Sequence, residues 1–294
     1  MRDRIAGLLA PTGCGFDIYP HGSFVKGTQV DPYGDVDIVV ELCHPVVPEW
    51  RGGFEPAPGT RFGKRVKGRA PTPEFLWFKE TVARALSYDF DTMSPGLATM
   101  VAWGKVQRVL KVAPVFPGHV NADLLVCQRF LETPPISVNT ADQGVIFWDG
   151  HGELQVSHPR KYIAKVKEKD MRTDGMFTQF VRHLKANHVG MKHQGAGSRR
   201  SSIPGQKVPM DSSLGVSSAT LEMLAYGVPN DHYSRSLNAT RKKVRAYLRT
   251  VAETERSRES FVPWDLVNDT TYPQWIEFMH GGFRMLLSNE KIWS

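Results

Sequence analysis

Residues 21–42, HGSFVKGTQVDPYGDVDIVVEL, decide how this chain is read. Two small-residue turns, Gly22-Ser23 and Gly27-Thr28, lead through a polar loop to Asp35-Val36-Asp37 at the head of an apolar, β-branched run. Side chains alternate across a strand, so Asp35 and Asp37 share one side while Val36 and Ile38 take the other. Two carboxylates that close repel each other, which is poor packing, but they suit a hard cation that prefers oxygen ligands. A short helix opening at Gly22 has free backbone N–H groups suited to phosphate oxygens, and Ser23 adds a hydroxyl donor.

The rest of the chain supplies the setting. At 294 residues it is long enough for one large domain or two packed lobes. A hydrophobic share of 41% with 23% charged residues fits a soluble globular protein. The net charge of +7 favours polyanionic partners such as nucleotides or nucleic acid. Cys14, Cys43 and Cys127 are odd in number and widely separated, which excludes a disulfide framework and a CxxC zinc site and points to a reducing, cytoplasmic setting. The opening MRDRIAGLLAPTG is too short in apolar residues for a signal peptide, and no later run approaches a membrane span, so no membrane partner is expected.

Strand signals dominate the first half and helix signals the second. Phe16-Asp17-Ile18-Tyr19 suits a short strand, and Asp35 to Leu42 a buried one. Residues 51–71, broken by Gly and Pro and rich in Arg and Lys, read as a basic loop. Thr72-Pro73-Glu74 has the form of an N-cap, a first-turn proline and a first-turn acid, opening a helix with a stripe at Phe75, Phe78, Val82 and Leu86. Strands are expected at 106–115 and 119–126. The second carries Asp123, an acid costly to bury among Val120, Leu124, Leu125 and Val126 unless it is paired or ligates a metal. Beside Asp35 and Asp37 it becomes a third carboxylate. Residues 144–156 read as a hairpin turning at Asp149-Gly150. Helices are expected at 159–169, 175–188, 217–227, 236–257 and 273–287, and residues 190–216 as a Gly/Ser/Pro-rich loop. Arg182 and Lys185 share the polar flank of the second of these helices.

The pattern G-S-x(3)-G-T-x(6)-D-x-D, with Asp123 on a later strand, resembles the nucleotidyltransferase superfamily that includes DNA polymerase β. GVIFWDGHGELQVSHPRKY, TDGMFTQFVRHLK and SSATLEMLAYGVP further resemble the bacterial cGAS/DncV-like nucleotidyltransferases, the CD-NTases of anti-phage CBASS systems, and among them the CdnE-type branch. The resemblance spans residues 16–289. It implies an α+β, bilobal polymerase β-like fold. A mixed-sheet catalytic lobe at 1–157 would be followed by a helical, oligoadenylate-synthase-like lobe at 158–294 that closes the nucleotide cleft.

Site roles follow from the same resemblance. Gly22 and Ser23 match the pair that holds the triphosphate, and Asp35, Asp37 and Asp123 match the acids that hold two Mg²⁺ ions, for which Mn²⁺ is a substitute. Lys185 matches a lysine of the helical lobe that reaches the donor's phosphates, and Ser218 the serine that accompanies it. The implied activity is synthesis of a cyclic di- or oligonucleotide second messenger from nucleoside triphosphates, ATP among them. Its implied partners are a separate effector protein and CBASS regulatory proteins, with nucleic acid not required. Three features depart from the family pattern: a short stretch before Gly22 in place of a long spine helix, no proline soon after Asp123, and a long 190–216 segment. Two other readings are open: a terminal RNA nucleotidyltransferase or nucleotidylating toxin, supported by the basic 51–69 segment, and a non-catalytic nucleotide sensor, which three clustered acids argue against.

Overall fold

The computed structural model describes residues 6–7, 10–13, 15–30, 36–46, 55–56, 64–66, 71–93, 101–103, 109–112, 122–130, 144–148, 154–197, 218–253, 287 and 293. The chain divides into two compact units, Met1–Ala164 and Lys165–Ser294. The division falls inside a helix, Pro159–Arg172, rather than at the strand end near 157.

The first unit is built on a mixed sheet. Its strands are β1 (Phe16–His21), β2 (Val36–Val46), β3 (Glu55–Pro56), β4 (Lys64–Val66), β5 (Val101–Trp103), β6 (Val109–Val112), β7 (Ala122–Phe130), β8 (Gly144–Trp148) and β9 (Leu154–Ser157). They run in the order β1-β2-β7-β8-β9-β4-β3, with β6 also pairing to β7 and β5 to β6. Among the described strands, β2 and β7 form the parallel pair, in register from Val36↔Ala122 to Leu42↔Gln128. Parallel strands are covered on both faces and therefore read as apolar runs, as VDIVVEL and ADLLVCQ do.

One face packs on α2 (Pro73–Met93), which follows the four-residue α1 (Gly22–Val25) in chain order. Thr72 Oγ1 accepts the Phe75 N–H at 3.1 Å, the N-cap expected from sequence. The stripe it aligns places Phe78 and Val82 against Ile38, Val40, Leu42, Leu124 and Val126. Phe75 meets Trp148 with ring centroids 4.7 Å apart, beside Phe130, Ile146 and Val156. Burying each of these large side chains contributes about 1.5–3 kcal/mol.

The second unit is helical in its described residues: the remainder of α3 (Pro159–Arg172), then α4 (Met176–Gly197), α5 (Ser218–Gly227) and α6 (Leu237–Glu253). Asp174 and Gly175 turn with φ of 51° and 77°, and Thr173 Oγ1 then accepts the Phe177 N–H at 3.2 Å to open α4. Phe177, Phe180, Val181 and Leu184 are buried, as are Leu221 and Leu224 on α5 and Val244, Leu248 and Val251 on α6. Among the described residues no helix is long and apolar enough to cross a membrane.

Two expectations are corrected. The 51–71 segment holds two strands rather than a loop throughout: β3 pairs with β4, and β4 pairs with β9. Their partners include a strand far along the chain, so no local periodicity marks them, and Pro56 and the charges of Lys64 and Arg65 are tolerated near a sheet edge. Helix α4 continues to Gly197, past the expected end at His188. Each added helical residue gains a backbone hydrogen bond, which outweighs the modest cost of the glycines there. Residues 273–286 of the expected last helix, the Asp149-Gly150 turn and residues 198–217 lie outside the described residues.

Candidate active site

The two acids meet because β2 and β7 are parallel and in register. Asp37 and Asp123 are direct partners across that pair, each the second residue of its strand. Register partners on neighbouring strands stand about 4.8 Å apart and point to the same face, so both half-buried carboxylates project side by side. The row extends to both sides: His21 on β1 pairs with Asp37, and Lys111 on β6 pairs with Asp123. Lys111 Nζ lies 3.1 Å from Asp123 Oδ1 and 3.2 Å from Oδ2. Asp35, the remaining acid of the pattern, lies outside the described residues.

Directly after β1 the chain enters α1 through Gly22, with φ of +71°. A Cβ there would overlap Asp37 Oδ2 and stand 2.5 Å from its Cγ and 2.8 Å from its Cβ. Glycine is thus required twice at this point, by backbone conformation and by the closeness of Asp37. The turn closes compactly: the Thr28 N–H donates to Ser23 O at 2.9 Å and the Gly27 N–H to Phe24 O at 3.1 Å. Lys26 is buried with Nζ 4.2 Å from the centre of the Tyr162 ring. Ser23 is half-buried within this turn, next to Gly22 and hence next to Asp37.

Behind the acid row the same sheet face carries a charge network. Glu41 is 3% exposed, with Arg129 Nε 2.6 Å from Oε1 and Arg160 Nη2 3.6 Å from Oε2. Arg160 also donates to Asp17 and lies 4.0 Å above the Tyr19 ring. Burial works against its charge, yet its hydrogen bond to Asp17 raises its pKa above the ordinary guanidinium value. Burial raises the Tyr19 hydroxyl pKa, and the Glu41 charge raises it further, so this phenol stays protonated at neutral pH.

In the second unit Lys185 lies on α4 and Ser218 opens α5. Lys185 Nζ is 2.7 Å from Glu222 Oε2, and the two side chains are 5% and 1% exposed. Ser218 is exposed, about one helical turn before Glu222 on the same helix. The ion pair therefore ties Lys185 to the helix that starts at Ser218.

Of the sequence-derived candidates, the structure brings Gly22, Ser23, Asp37 and Asp123 together in the first unit, and Lys185 and Ser218 to neighbouring helices in the second. Sequence reading passed over Lys111, whose only signal was its place between buried Leu110 and Val112 on a strand. It also passed over Arg160 and Arg129, although Glu41, four residues beyond Asp37, had to share its face.

The oxygen-only donor set of Asp37 and Asp123, packed against a glycine with no room for a Cβ, fits a hard divalent cation. Among the described residues no group of three His, Cys, Asp or Glu side chains is assembled, Asp35 lying outside them.

The sheet with its acid row and the helices after it have the fold of solved CdnE nucleotide synthases. Solved structures it is similar to include CdnE enzymes. The cyclic UMP-AMP synthase CdnE of Rhodothermus marinus, solved with Apcpp and Upnpp, superposes with a TM-score of 0.65 at 20% identity, over 97% of this chain and 88% of that one. The CdnE cyclic dinucleotide synthase of Elizabethkingia meningoseptica, solved with GTP and Apcpp, gives 0.60 at 20% identity over 97% and 89%. A STING-associated CdnE c-di-GMP synthase from a Flavobacteriaceae species gives 0.63 at 12% identity over 99% and 80%. No protein-family model and no curated protein sequence matches the chain. The fold expected from the motifs is thus the fold observed.

Proposed function

We propose that this protein is a Mg²⁺-dependent nucleotidyltransferase that joins nucleoside triphosphates into a cyclic di- or oligonucleotide, a second messenger of anti-phage defence made in the cytoplasm. The observation that carries this reading is the register pairing of Asp37 with Asp123 beside the Gly22-Ser23 turn. It is supported by the likeness in fold to CdnE synthases solved with triphosphates or their analogues.

In this reading Asp35, Asp37 and Asp123 hold two Mg²⁺ ions, or Mn²⁺ in their place. Bound there, the ions would make the attacking ribose hydroxyl more acidic and neutralise charge on the triphosphate and the departing pyrophosphate. Gly22 lets the backbone approach the phosphates without a side chain between, and Ser23 donates its hydroxyl to them. Lys185 and Ser218 serve the donor's phosphates, with Glu222 paired to the lysine's ammonium. Phosphoryl transfer asks the protein mainly for positioning and charge stabilisation, and a carboxylate row on a rigid parallel pair supplies both. The product acts on a separate effector protein, and CBASS regulatory proteins control the enzyme.

The reading is tested by incubating the purified chain with four labelled nucleoside triphosphates and Mg²⁺. A short, phosphatase-resistant product supports it, whereas a ladder of extended RNA would select a terminal nucleotidyltransferase instead.

A further inference from the structure

Lys111 belongs to the acid row, and its geometry is specific. It sits on β6 directly opposite Asp123, between Leu110 and Val112, which are 1% and 3% exposed on the other face. Strand alternation therefore fixes its Cβ on the carboxylate side. Its ammonium spans both Asp123 oxygens, at 3.1 and 3.2 Å, so the carboxylate edge that a cation would use already faces a positive charge. Its side chain is 57% exposed while that of Asp123 is 24% exposed, so the flexible stem can swing into solvent without unpacking the sheet.

We propose that Lys111 is a built-in counter-cation: it offsets the repulsion between Asp37 and Asp123 when no divalent ion is bound, and it competes with the ion for Asp123. This rests on the reading of Asp37 and Asp123 as cation ligands. An ion binding there must displace the ammonium from at least one Asp123 oxygen, so Lys111 sets how tightly the site holds it. Across the sheet the order is His21, Asp37, Asp123, Lys111, which puts the lysine at the opposite end of the row from the Gly22-Ser23 turn. Once displaced, the ammonium stays within a side chain's length of Asp123, on the side away from the phosphate turn.

The test is a calorimetric titration of the full chain with Mn²⁺ and no nucleotide, on wild type, Lys111→Met, Lys111→Arg and Asp37→Asn, paired with thermal melts in chelator and in Mn²⁺. Lys111→Met should bind Mn²⁺ about two- to five-fold more tightly, the span open to one partly exposed ion pair. It should melt below wild type in chelator and gain more from Mn²⁺ than wild type does, while Lys111→Arg stays near wild type. Wild-type affinity, or weaker, in Lys111→Met would overturn the role of Lys111 alone. If wild type binds no better than Asp37→Asn, the acid pair is not a cation site and the inference falls with it.

Discussion

Gly22 and Asp37 are so close that a single methyl group cannot fit between them: a Cβ on Gly22 would overlap the carboxylate oxygen and stand 2.5 Å from Cγ. The phosphate turn and the acid row are thus one packed unit, since His21, the residue before Gly22, is also the register partner of Asp37. Gly22→Ala should therefore act twice. A left-handed φ of +71° costs an alanine about 1–2 kcal/mol, and the displaced Asp37 carboxylate should lose most of its divalent affinity. Thermal melting should show a loss of several degrees, and Mn²⁺ titration a far larger relative loss; a variant that binds Mn²⁺ normally would separate the turn from the acids.

Glu41 should be a stability residue. With Arg129 at 2.6 Å and Arg160 at 3.6 Å around a carboxylate 3% exposed, Glu41→Ala takes Arg129's carboxylate away and leaves Arg160 with Asp17. The expected loss in denaturant unfolding is about 3 kcal/mol, toward the low end for a broken buried pair because both arginines keep some access to water. Glu41→Gln should lose less, since its amide oxygen still accepts a hydrogen bond. Equal losses for the two substitutions would show that charge plays no part.

Lys185 and Glu222 allow structure and substrate binding to be separated. Removing Lys185 alone takes the ammonium from a buried carboxylate, with an expected cost of about 3 kcal/mol, whereas Lys185→Met with Glu222→Leu should recover most of it. If Lys185 also serves the donor's phosphates, the double variant will regain its melting temperature and still bind triphosphate weakly. Wild-type triphosphate affinity in the double variant would confine Lys185 to packing.

Gly144, at the start of β8, marks where that strand meets the residue before α3. A Cβ there would lie 2.9 Å from Phe130 Cδ1 and 3.0 Å from His158 Nε2. Phe130 is 1% exposed and has nowhere to go, so Gly144→Ala should cost about 1–3 kcal/mol by overpacking. Chemical denaturation measures this, and an unchanged midpoint would mean that the two strands can separate freely there.

Much of this was legible in the sequence where the signal is local. Strand alternation put Asp37 on a polar face, and the costly acid in ADLLV singled out Asp123. What alternation could not supply was the register that makes the two direct partners, because it depends on β2 pairing with β7 far along the chain. The same limit hid Lys111, whose meaning comes from the strand beside it, and the pairing of Arg129 and Arg160 with Glu41. It also hid β4, whose partner β9 lies far along the chain. Helix α4 ran past its expected end because glycine is a weak stop signal once a helix is propagating.

Mass analysis of the product shows whether the Asp37–Asp123 pair drives formation of a cyclic nucleotide. Purified wild type and Asp37→Asn, matched in melting temperature, are each incubated with the four nucleoside triphosphates and Mg²⁺. Wild type should yield a species made of nucleoside monophosphate units alone, with pyrophosphate released for each unit and no free terminal phosphate, and Asp37→Asn should yield none. An active Asp37→Asn, or a wild-type product that is a linear chain retaining its triphosphate end, would contradict that role of the pair.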